Sequence, residues 1–309
     1  MSPWLKAIRL RTLPLALACI ALGALLAADF GAMDWPTLIL CVLTAVSYQI
    51  LSNLANDLGD GRKGTDDLRA EGAETRALAS GAISERQLSV AVTMVTVFSV
   101  ALTLLTSYWG TRQLDNVWFY GYSILGGLAI ISARGYTMGA SYGYRGMGDV
   151  FVLIFFGPVG VAGSFILLSQ MWVPEVLLAG VAVGAMASGV LNLNNLRDID
   201  TDAQAGKRTL AMRMGPRWAK MYQVLLLLIG FGAAIGYVIL QTNLTCSRSF
   251  LFIAVLPLSI GTLRDMYRAQ DVHALDALLK PWALQTVLFA LMLGIGLLID
   301  SNECSAPLM

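Results

Sequence analysis

Two groups of carboxylate and carboxamide side chains lie where long apolar segments of the sequence end. The first group occupies the segment Asn53-Leu-Ala-Asn-Asp-Leu-Gly-Asp60. On a helix, four of its residues follow an i, i+3/i+4, i+7 pattern, which brings them to one face over roughly 10 Å of rise. We call these four residues the first acidic ladder: Asn53, Asn56, Asp57 and Asp60.

A second group follows another apolar segment far downstream. Asn194, Asp198 and Asp202 lie at i, i+4 and i+8, which again predicts one helical face. We call them the second acidic ladder. Oxygen ligands without histidine or cysteine favour Mg²⁺ or Ca²⁺ over zinc. If the two ladders face each other they form a hard-cation site, and Mg²⁺, which also binds substrate phosphates, suits the basic residues nearby.

A simpler interpretation exists for acidic residues at helix ends. A single one often marks only the point where the lipid stops. Two sets are harder to explain in this way, because an ionisable group inside a membrane costs roughly 2.5–3.5 kcal/mol at the bilayer centre. The two ladders therefore favour a functional site. Asp200, which lies off the face of Asp198 and Asp202, is predicted to be solvated or to lie behind the ligands.

The composition identifies the class of protein. Hydrophobic residues make up 57% of the 309 residues and charged residues 13%, and the mean hydropathy is +0.67. Soluble domains contain about 25% charged residues. The chain is therefore predicted to be an all-α, polytopic membrane protein with the lipid bilayer as its surroundings. Its net charge of +1 gives no support for nucleic acid as a partner.

Nine apolar segments have lengths near the ~20 residues needed to cross a bilayer. They lie at about 12–30, 36–55, 86–107, 117–133, 149–169, 174–195, 218–240, 248–264 and 280–299. These segments predict nine transmembrane helices in one domain over residues 1–309. The amphipathic start, Ser2 to Arg11, predicts a short helix at the membrane interface.

The basic residues predict the orientation of these helices. The N-terminus and the loops after the second, fourth, sixth and eighth segments, with their flanking turns, hold 19 of the 21 basic residues. The opposite side holds only Arg112 and Arg248. The positive-inside rule then places the N-terminus and both ladders in the cytoplasm and the C-terminus outside.

A loop rich in glycine and basic residues follows each ladder. The first contains Lys63 and Arg76, and the second contains Lys207; such loops can wrap an anion. Because the Asn-x-x-x-Asp pattern and its loop occur twice, we predict a weak internal duplication with similar halves at about 1–133 and 134–309.

A third cytoplasmic loop, between Arg134 and Asp149, carries three tyrosines and two arginines, with Tyr136 and Tyr144 among them. Aromatic rings and guanidinium groups can hold a planar anionic substrate. The alternative is an interfacial belt of tyrosine and arginine that only anchors the protein in the membrane.

The ladders and their loops resemble the paired aspartate-rich motifs of the UbiA superfamily of membrane prenyltransferases. The matching stretches are Asn56-Asp57-x-x-Asp60 with Lys63-Gly64-x-Asp66, and Asn194-Asn195-x-Arg197-Asp198-x-x-x-Asp202-x-x-x-Gly206-Lys207. The similarity also includes Arg9-x-Arg11-Thr-Leu-Pro14, Tyr136-Thr137 and Gly146-x-Gly148-Asp149, so it covers nearly the whole chain. Within the superfamily the chain most resembles the branch that prenylates 1,4-dihydroxy-2-naphthoate in menaquinone biosynthesis.

The resemblance implies nine helices around a central cavity, cytoplasmic cap loops and a lateral opening for an isoprenoid tail. It implies Mg²⁺, with Mn²⁺ as a substitute, held by Asn56, Asp60, Asp66, Asp198 and Asp202. The residues implied to contact the diphosphate or the substrate are Asn53, Asp57, Lys63, Arg76, Asn194 and Lys207. The catalytic candidates are Asp60, Asp198 and Asp202, together with Tyr136 and Tyr144, which would shield an allylic cation or orient the ring.

The implied reaction transfers a polyprenyl group from polyprenyl diphosphate to 1,4-dihydroxy-2-naphthoate with loss of carbon dioxide and pyrophosphate, in a bacterial cytoplasmic membrane. Two alternatives stay open. One is another UbiA-type enzyme with an acceptor such as 4-hydroxybenzoate. The other is a cation-coupled secondary transporter that uses Asp57 and Asp198; it explains less, because both ladders lie at one side of the membrane beside anion-binding loops.

Overall fold

The computed structural model describes residues 2–64, 76–242 and 247–304 of the chain. These residues are largely helical, and none of them forms a strand. The helices, numbered in chain order, are α1 (Pro3–Ile8), α2 (Leu13–Asp29), α3 (Trp35–Arg62), α4 (Glu85–Gly110), α5 (Asn116–Gly135), α6 (Gly148–Ser169), α7 (Val176–Arg197), α8 (Ile199–Gln204), α9 (Leu210–Gln241), α10 (Arg248–Arg268) and α11 (Val272–Cys304).

The helix lengths agree with a protein that crosses the membrane many times. In the described part of the chain, eight helices are long and apolar enough to span, namely α3 to α7 and α9 to α11. The apolar α2 has 17 residues, about 26 Å, which is the lower limit for a span. Each of the nine predicted segments overlaps one of these helices. The all-α, multi-pass architecture is confirmed, with eight full-length spans and one short one where nine were predicted.

Local sequence signals set several helix boundaries and bends. Ser84 begins α4 with a capping box: its hydroxyl accepts from the Gln87 N–H at 3.3 Å, and the Gln87 side chain accepts from the Ser84 N–H at 3.0 Å. Helix α9 is kinked at Gly215, whose φ of +77° is a glycine conformation, and Pro216 follows. The kink separates the short start of α9 from the long apolar part of the helix.

Helix α7, which carries the second acidic ladder, is the most deeply buried of the described spans. It packs against α6, α9 and α11. Its contact with α6 is very close, because a Cβ atom added at Gly184 would lie 2.4 Å from the Leu153 carbonyl oxygen and 3.0 Å from the Gly157 Cα. Small residues permit such backbone approach between membrane helices. The contact fixes α7 next to a π-helical turn of α6 at Phe155–Val159.

This contact gives a stability prediction. Gly184→Ala should destabilise the protein by about 1–3 kcal/mol, the usual cost of overpacking. Gly232→Ala in α9 is the matched control, because no atom lies within 4 Å of its added Cβ and alanine favours a helix. The thermal unfolding midpoint in detergent measures the difference. Equal midpoints for the two variants would contradict the close packing of α6 and α7.

Candidate active site

A cavity of about 780 Å³ lies inside the helix bundle. Both acidic ladders contribute residues to its wall, and so do Arg76 and Lys207. The rest of the wall is mainly apolar, with contributions from Leu15 and Ile20 of α2 and Phe155 of α6. The cavity therefore joins a charged region to a space suited to a hydrocarbon chain.

The first acidic ladder is placed by the last three turns of α3. Asn53, Asn56 and Asp60 border the cavity, but Asp57 does not. Successive residues of a helix are turned by about 100°, so Asn56 and Asp57 cannot both occupy the centre of one face. Asp57 is buried within the bundle, and the prediction that it contacts the diphosphate or the substrate is not supported by its position.

The second acidic ladder follows the end of α7. The helix ends at Arg197, and the short α8 begins at Ile199, yet the Asp202 N–H still donates to the Asp198 carbonyl oxygen at 2.8 Å. The helical register therefore continues nearly unbroken. Asn194, Asp198 and Asp202 all border the cavity, while Asp200 is exposed, as the periodicity predicts.

The two ladders meet around Lys207. The ammonium nitrogen of Lys207 lies 3.2 Å from an Asp202 carboxylate oxygen and 3.8 Å from an Asp60 carboxylate oxygen. These two oxygens are therefore at most about 7 Å apart, the sum of both distances. Arg76 approaches Asp60 from another side, with its Nη2 at 3.5 Å from Oδ2. The structure thus brings together four residues from two widely separated parts of the sequence.

Arg197 fixes the carboxylate of Asp198. Its Nε and Nη2 donate to the two Asp198 oxygens at 2.7 and 2.6 Å, and Nη2 also donates to Asn194 Oδ1 at 2.8 Å. On its other side Arg197 forms an ion pair with Asp276 of α11. No role was predicted for Arg197, although its place directly before Asp198 was a signal that it could hold this carboxylate.

Two further residues support Asp60 of the first acidic ladder: Tyr144, in the loop after α5, and Lys63, directly after α3. The Tyr144 hydroxyl donates to Asp60 Oδ1 at 3.0 Å, and the Lys63 ammonium lies 3.7 Å from the centre of the Tyr144 ring. Lys63 also donates to the Thr137 carbonyl oxygen at 2.8 Å and to the Ser141 hydroxyl at 2.6 Å. Neither Tyr144 nor Lys63 borders the cavity. Their positions suit a supporting role, in which they hold Asp60 and the loop in place. The sequence had instead predicted that Tyr144 shields an allylic cation or orients the ring and that Lys63 contacts the diphosphate.

The hydrogen bond from Tyr144 to Asp60 can be tested. Tyr144→Phe keeps the ring over Lys63 but removes the hydroxyl, so we expect kcat for the reaction at this site to fall roughly 10-fold, the lower value for a hydrogen bond to a charged group. Tyr267→Phe is the matched control, since this exposed tyrosine of α10 lies outside the cavity wall. An unchanged kcat in Tyr144→Phe would mean that the contact does not position Asp60.

The aromatic wall of the cavity comes from other residues. Tyr136, Tyr142, Phe151 and Phe155 border the cavity and contact one another in sequence order. The Tyr142 ring lies edge-on to Tyr136 at 5.4 Å and stacks on Phe151 at 3.9 Å, and Phe151 lies 6.1 Å from Phe155. Sequence reasoning named Tyr136 but missed Tyr142; the i, i+4 spacing of Phe151 and Phe155 was a signal for this wall.

Asn53 connects α3 to the N-terminal segment. Its amide nitrogen donates to the Ile8 carbonyl oxygen at 2.7 Å and to the Thr12 hydroxyl at 2.9 Å. Gln49 donates to Asn53 Oδ1 at 3.4 Å and to Thr12 at 3.2 Å. The amide N–H groups of Asn53 are thus already used within the protein. The residue therefore shapes the cavity wall, whereas a contact with the diphosphate or the substrate had been predicted for it.

Burial affects the ionisation of the charged groups at this end of the cavity. It raises the pKa of Asp202 above its usual range; the Lys207 ammonium opposes this change, and the Asp198 and Asp60 carboxylates reinforce it. Burial also lowers the pKa of Lys63. The Asp60 carboxylate opposes this decrease, and the Lys207 ammonium adds to it. Several like charges are therefore held close together. A bound cation would favour the ionised carboxylates, and a bound anion the ammonium groups.

The donor set fits a metal ion that is shared with a phosphate ligand. In the described part of the chain, no group of three or more His, Cys, Asp or Glu residues is arranged to hold a metal. Mg²⁺ is usually bound through only one or two carboxylates plus substrate phosphates. Asn56, Asp60, Asp198 and Asp202 supply oxygen atoms along one cavity region. The fifth predicted ligand, Asp66, lies outside the described residues.

Comparison with known proteins identifies the family. Residues 16–284 match the UbiA prenyltransferase family, and the chain belongs to it. The 1,4-dihydroxy-2-naphthoate octaprenyltransferase of Haemophilus influenzae is 35% identical over 97% of this chain and 96% of its own. The Escherichia coli protein of the same name is 36% identical over 96% and 95%. The predicted family resemblance is confirmed.

A solved structure supports the fold. A UbiA homologue from Archaeoglobus fulgidus, bound to DMAPP and Mg²⁺, superposes with a TM-score of 0.62 over 96% of this chain and 99% of its own, at 18% identity. At this level of identity the likeness concerns the fold. It places the chain among polytopic helical membrane proteins of the UbiA type.

Proposed function

We propose that this protein transfers a polyprenyl group from polyprenyl diphosphate to 1,4-dihydroxy-2-naphthoate, with loss of pyrophosphate and carbon dioxide, to give demethylmenaquinol, the reduced form of demethylmenaquinone. The observation that carries the proposal is the meeting of both acidic ladders around Lys207 at the charged end of a largely apolar cavity. The names of the relatives from Haemophilus influenzae and Escherichia coli support the choice of acceptor.

The charged end suits the diphosphate. Arg76 and Lys207 would contact its oxygens. Both border the cavity; Arg76 lies beside the Asp60 carboxylate, and Lys207 lies between the carboxylates of Asp60 and Asp202. Asn56, Asp60, Asp198 and Asp202 would hold Mg²⁺, with Asp66 as a further ligand candidate and Mn²⁺ as a substitute; the Archaeoglobus fulgidus homologue binds this ion together with a prenyl diphosphate. When bound, Mg²⁺ would stabilise the negative charge of the departing pyrophosphate.

The aromatic wall suits the next step. As the bond between C1 of the prenyl group and the diphosphate breaks, positive charge develops on the allylic carbons. The faces of Tyr136 and Tyr142 can stabilise such a charge, and the apolar wall excludes water that would capture it. The electron-rich ring then attacks C1 through the carbon that bears the carboxylate. Carbon dioxide leaves, and its bonding electrons restore the aromatic ring.

The proposal includes a location and an orientation. The protein would lie in the bacterial cytoplasmic membrane with its N-terminus and the charged end of the cavity in the cytoplasm and its C-terminus outside. The support is the distribution of basic residues, with only Arg112 and Arg248 on the outer side. Polyprenyl diphosphate would keep its tail in the bilayer while its headgroup reaches the acidic ladders.

Carboxyl-labelled substrate tests the reaction. Purified protein with Mg²⁺, polyprenyl diphosphate and 1,4-dihydroxy-2-naphthoate labelled at the carboxylate should release the label as carbon dioxide. The lipid phase should contain demethylmenaquinol, which is recovered as demethylmenaquinone after oxidation by air. Omission of polyprenyl diphosphate is the control, and it should leave the label in the acid. A prenylated product that retains the label would contradict the decarboxylating reaction.

The alternative functions give different results in the same assay. Transfer only to 4-hydroxybenzoate would identify another UbiA-type acceptor, and the site at the acidic ladders would stand. Ion-coupled flux into liposomes without any prenyl transfer would favour the transporter.

A further inference from the structure

Lys280, on one face of α11, forms part of the cavity wall. Asp276, Leu279, Lys280, Ala283 and Leu284 follow the i, i+3, i+4, i+7, i+8 pattern of one helical face, and all five border the cavity. Lys280 comes eight residues after the first residue of α11, about 12 Å along the axis. An ionisable side chain that faces the cavity of a membrane bundle indicates a function.

Lys280 differs from three other cavity-lining basic residues. Arg76, Arg197 and Lys207 each lie against carboxylates of the acidic ladders. In the described ranges, by contrast, Lys280 has no ion pair or hydrogen bond, and it is exposed while it borders the cavity. Its ammonium group is therefore available to an anionic ligand.

Lys280 lies close to the part of the cavity where the diphosphate end of the prenyl substrate would bind. The ion pair between Arg197 and Asp276 fixes α11 beside the carboxylate of Asp198. Lys280 lies one turn further along α11, about 6 Å of rise, on the side away from the helix start. The side chains that follow it on this face, Ala283 and Leu284, are apolar. A ligand here would have its anionic group at Lys280 and its apolar part against α11.

We infer that Lys280 binds the carboxylate of the aromatic acceptor and thereby determines acceptor specificity. This inference rests on the proposed function, in which the acceptor is a hydroxylated naphthoate. An anion that enters a largely apolar cavity needs a charged partner to offset its desolvation. The diphosphate has Arg76 and Lys207, whereas Lys280 is placed for a second, smaller anion. Leu279 and Ala283 provide an apolar surface for the naphthalene rings.

Steady-state kinetics of purified variants test the assignment. Lys280→Gln should raise KM for 1,4-dihydroxy-2-naphthoate roughly 10- to 100-fold, the range for a hydrogen bond between charged groups, and should leave KM for polyprenyl diphosphate unchanged. Lys280→Arg should restore most of the acceptor affinity. Lys220→Gln is the matched control, because Lys220 lies over the Tyr267 ring, outside the cavity wall; both of its KM values should stay at wild type.

A competition measurement separates carboxylate recognition from a structural effect. The wild type should be inhibited more strongly by 1-hydroxy-2-naphthoate than by 1-hydroxy-2-naphthamide, which has the same rings without the charge. Lys280→Gln should abolish this preference. If Lys280→Gln does not fold, as judged by size-exclusion chromatography in detergent, Lys280→Met provides the second neutral variant.

The outcomes are distinguishable. A raised KM for polyprenyl diphosphate alone would assign Lys280 to the lipid headgroup and overturn the inference. An unchanged preference for carboxylate over carboxamide would also overturn it, although the proposed function would stand as long as labelled carbon dioxide is released. Wild-type protein that prenylates no aromatic acid at all would overturn both.

Discussion

Replacement of Asp202 by asparagine should lower kcat for prenyl transfer by at least about 100-fold, because loss of one group that stabilises developing charge costs about 2.7–4 kcal/mol. Asp202 is 5% exposed, and its carboxylate lies 3.2 Å from Lys207, so bulk water screens its charge only weakly. Asparagine has nearly the same shape, and the variant should still insert and purify. Steady-state rates with saturating substrates measure the effect.

Asp200→Asn is the matched control for this variant. Asp200 lies on the same short helix, α8, but is exposed and outside the cavity wall, so its kcat should equal that of the wild type. Near-normal transfer by Asp202→Asn would place the chemistry elsewhere in the cavity. An equal loss in both variants would indicate that α8 as a whole, and not the Asp202 carboxylate, supports the reaction.

Removal of divalent metal should have the second large effect. EDTA should reduce prenyl transfer to background, and excess Mg²⁺ or Mn²⁺ should restore it, because the oxygen atoms of the ladders suit these hard cations. Without the ion, the charge of the diphosphate would be balanced only by basic side chains such as Arg76 and Lys207. The rate of lipid product formation before and after metal addition measures the effect.

The control for metal removal is EDTA that has been saturated with Mg²⁺ beforehand, which should leave the rate unchanged. This control separates chelation from any effect of EDTA on the detergent or the protein. Full turnover in metal-free buffer would rule out the proposed metal site. The acidic ladders would then need another role, such as holding Arg76 and Lys207 in position.

The class of protein and most helix positions could be predicted from the sequence. Residues such as Leu22 of α2 and Leu293 of α11 belong to apolar runs that only a bilayer or a bundle interior can accommodate. A helix lets such a run cross the bilayer because it satisfies its own backbone hydrogen bonds. The start of α4 also depends on local chemistry, since Ser84 and Gln87 form a capping box there. These features depend on neighbours in the sequence, so sequence periodicity was sufficient.

The candidate site was predicted only in part. The spacing of Asp198 and Asp202 indicated one face, and the cavity confirms that face. The same reasoning could not separate Asn56 from Asp57, because only the neighbouring helices determine which side of α3 is enclosed. It also chose Tyr144 for the aromatic wall, where the structure has Tyr142.

The sequence by itself determined a helical membrane protein with two oxygen-rich ladders at one side of the bilayer. This follows because hydropathy, charge and helical period are properties of consecutive residues. Only the tertiary structure decided that Lys207 lies between Asp60 and Asp202, that Arg197 joins Asp198 to Asp276, and that Lys280 borders the cavity. These contacts join residues up to 147 positions apart, as for Lys207 and Asp60, and packing between helices, which no local pattern encodes, brings them together.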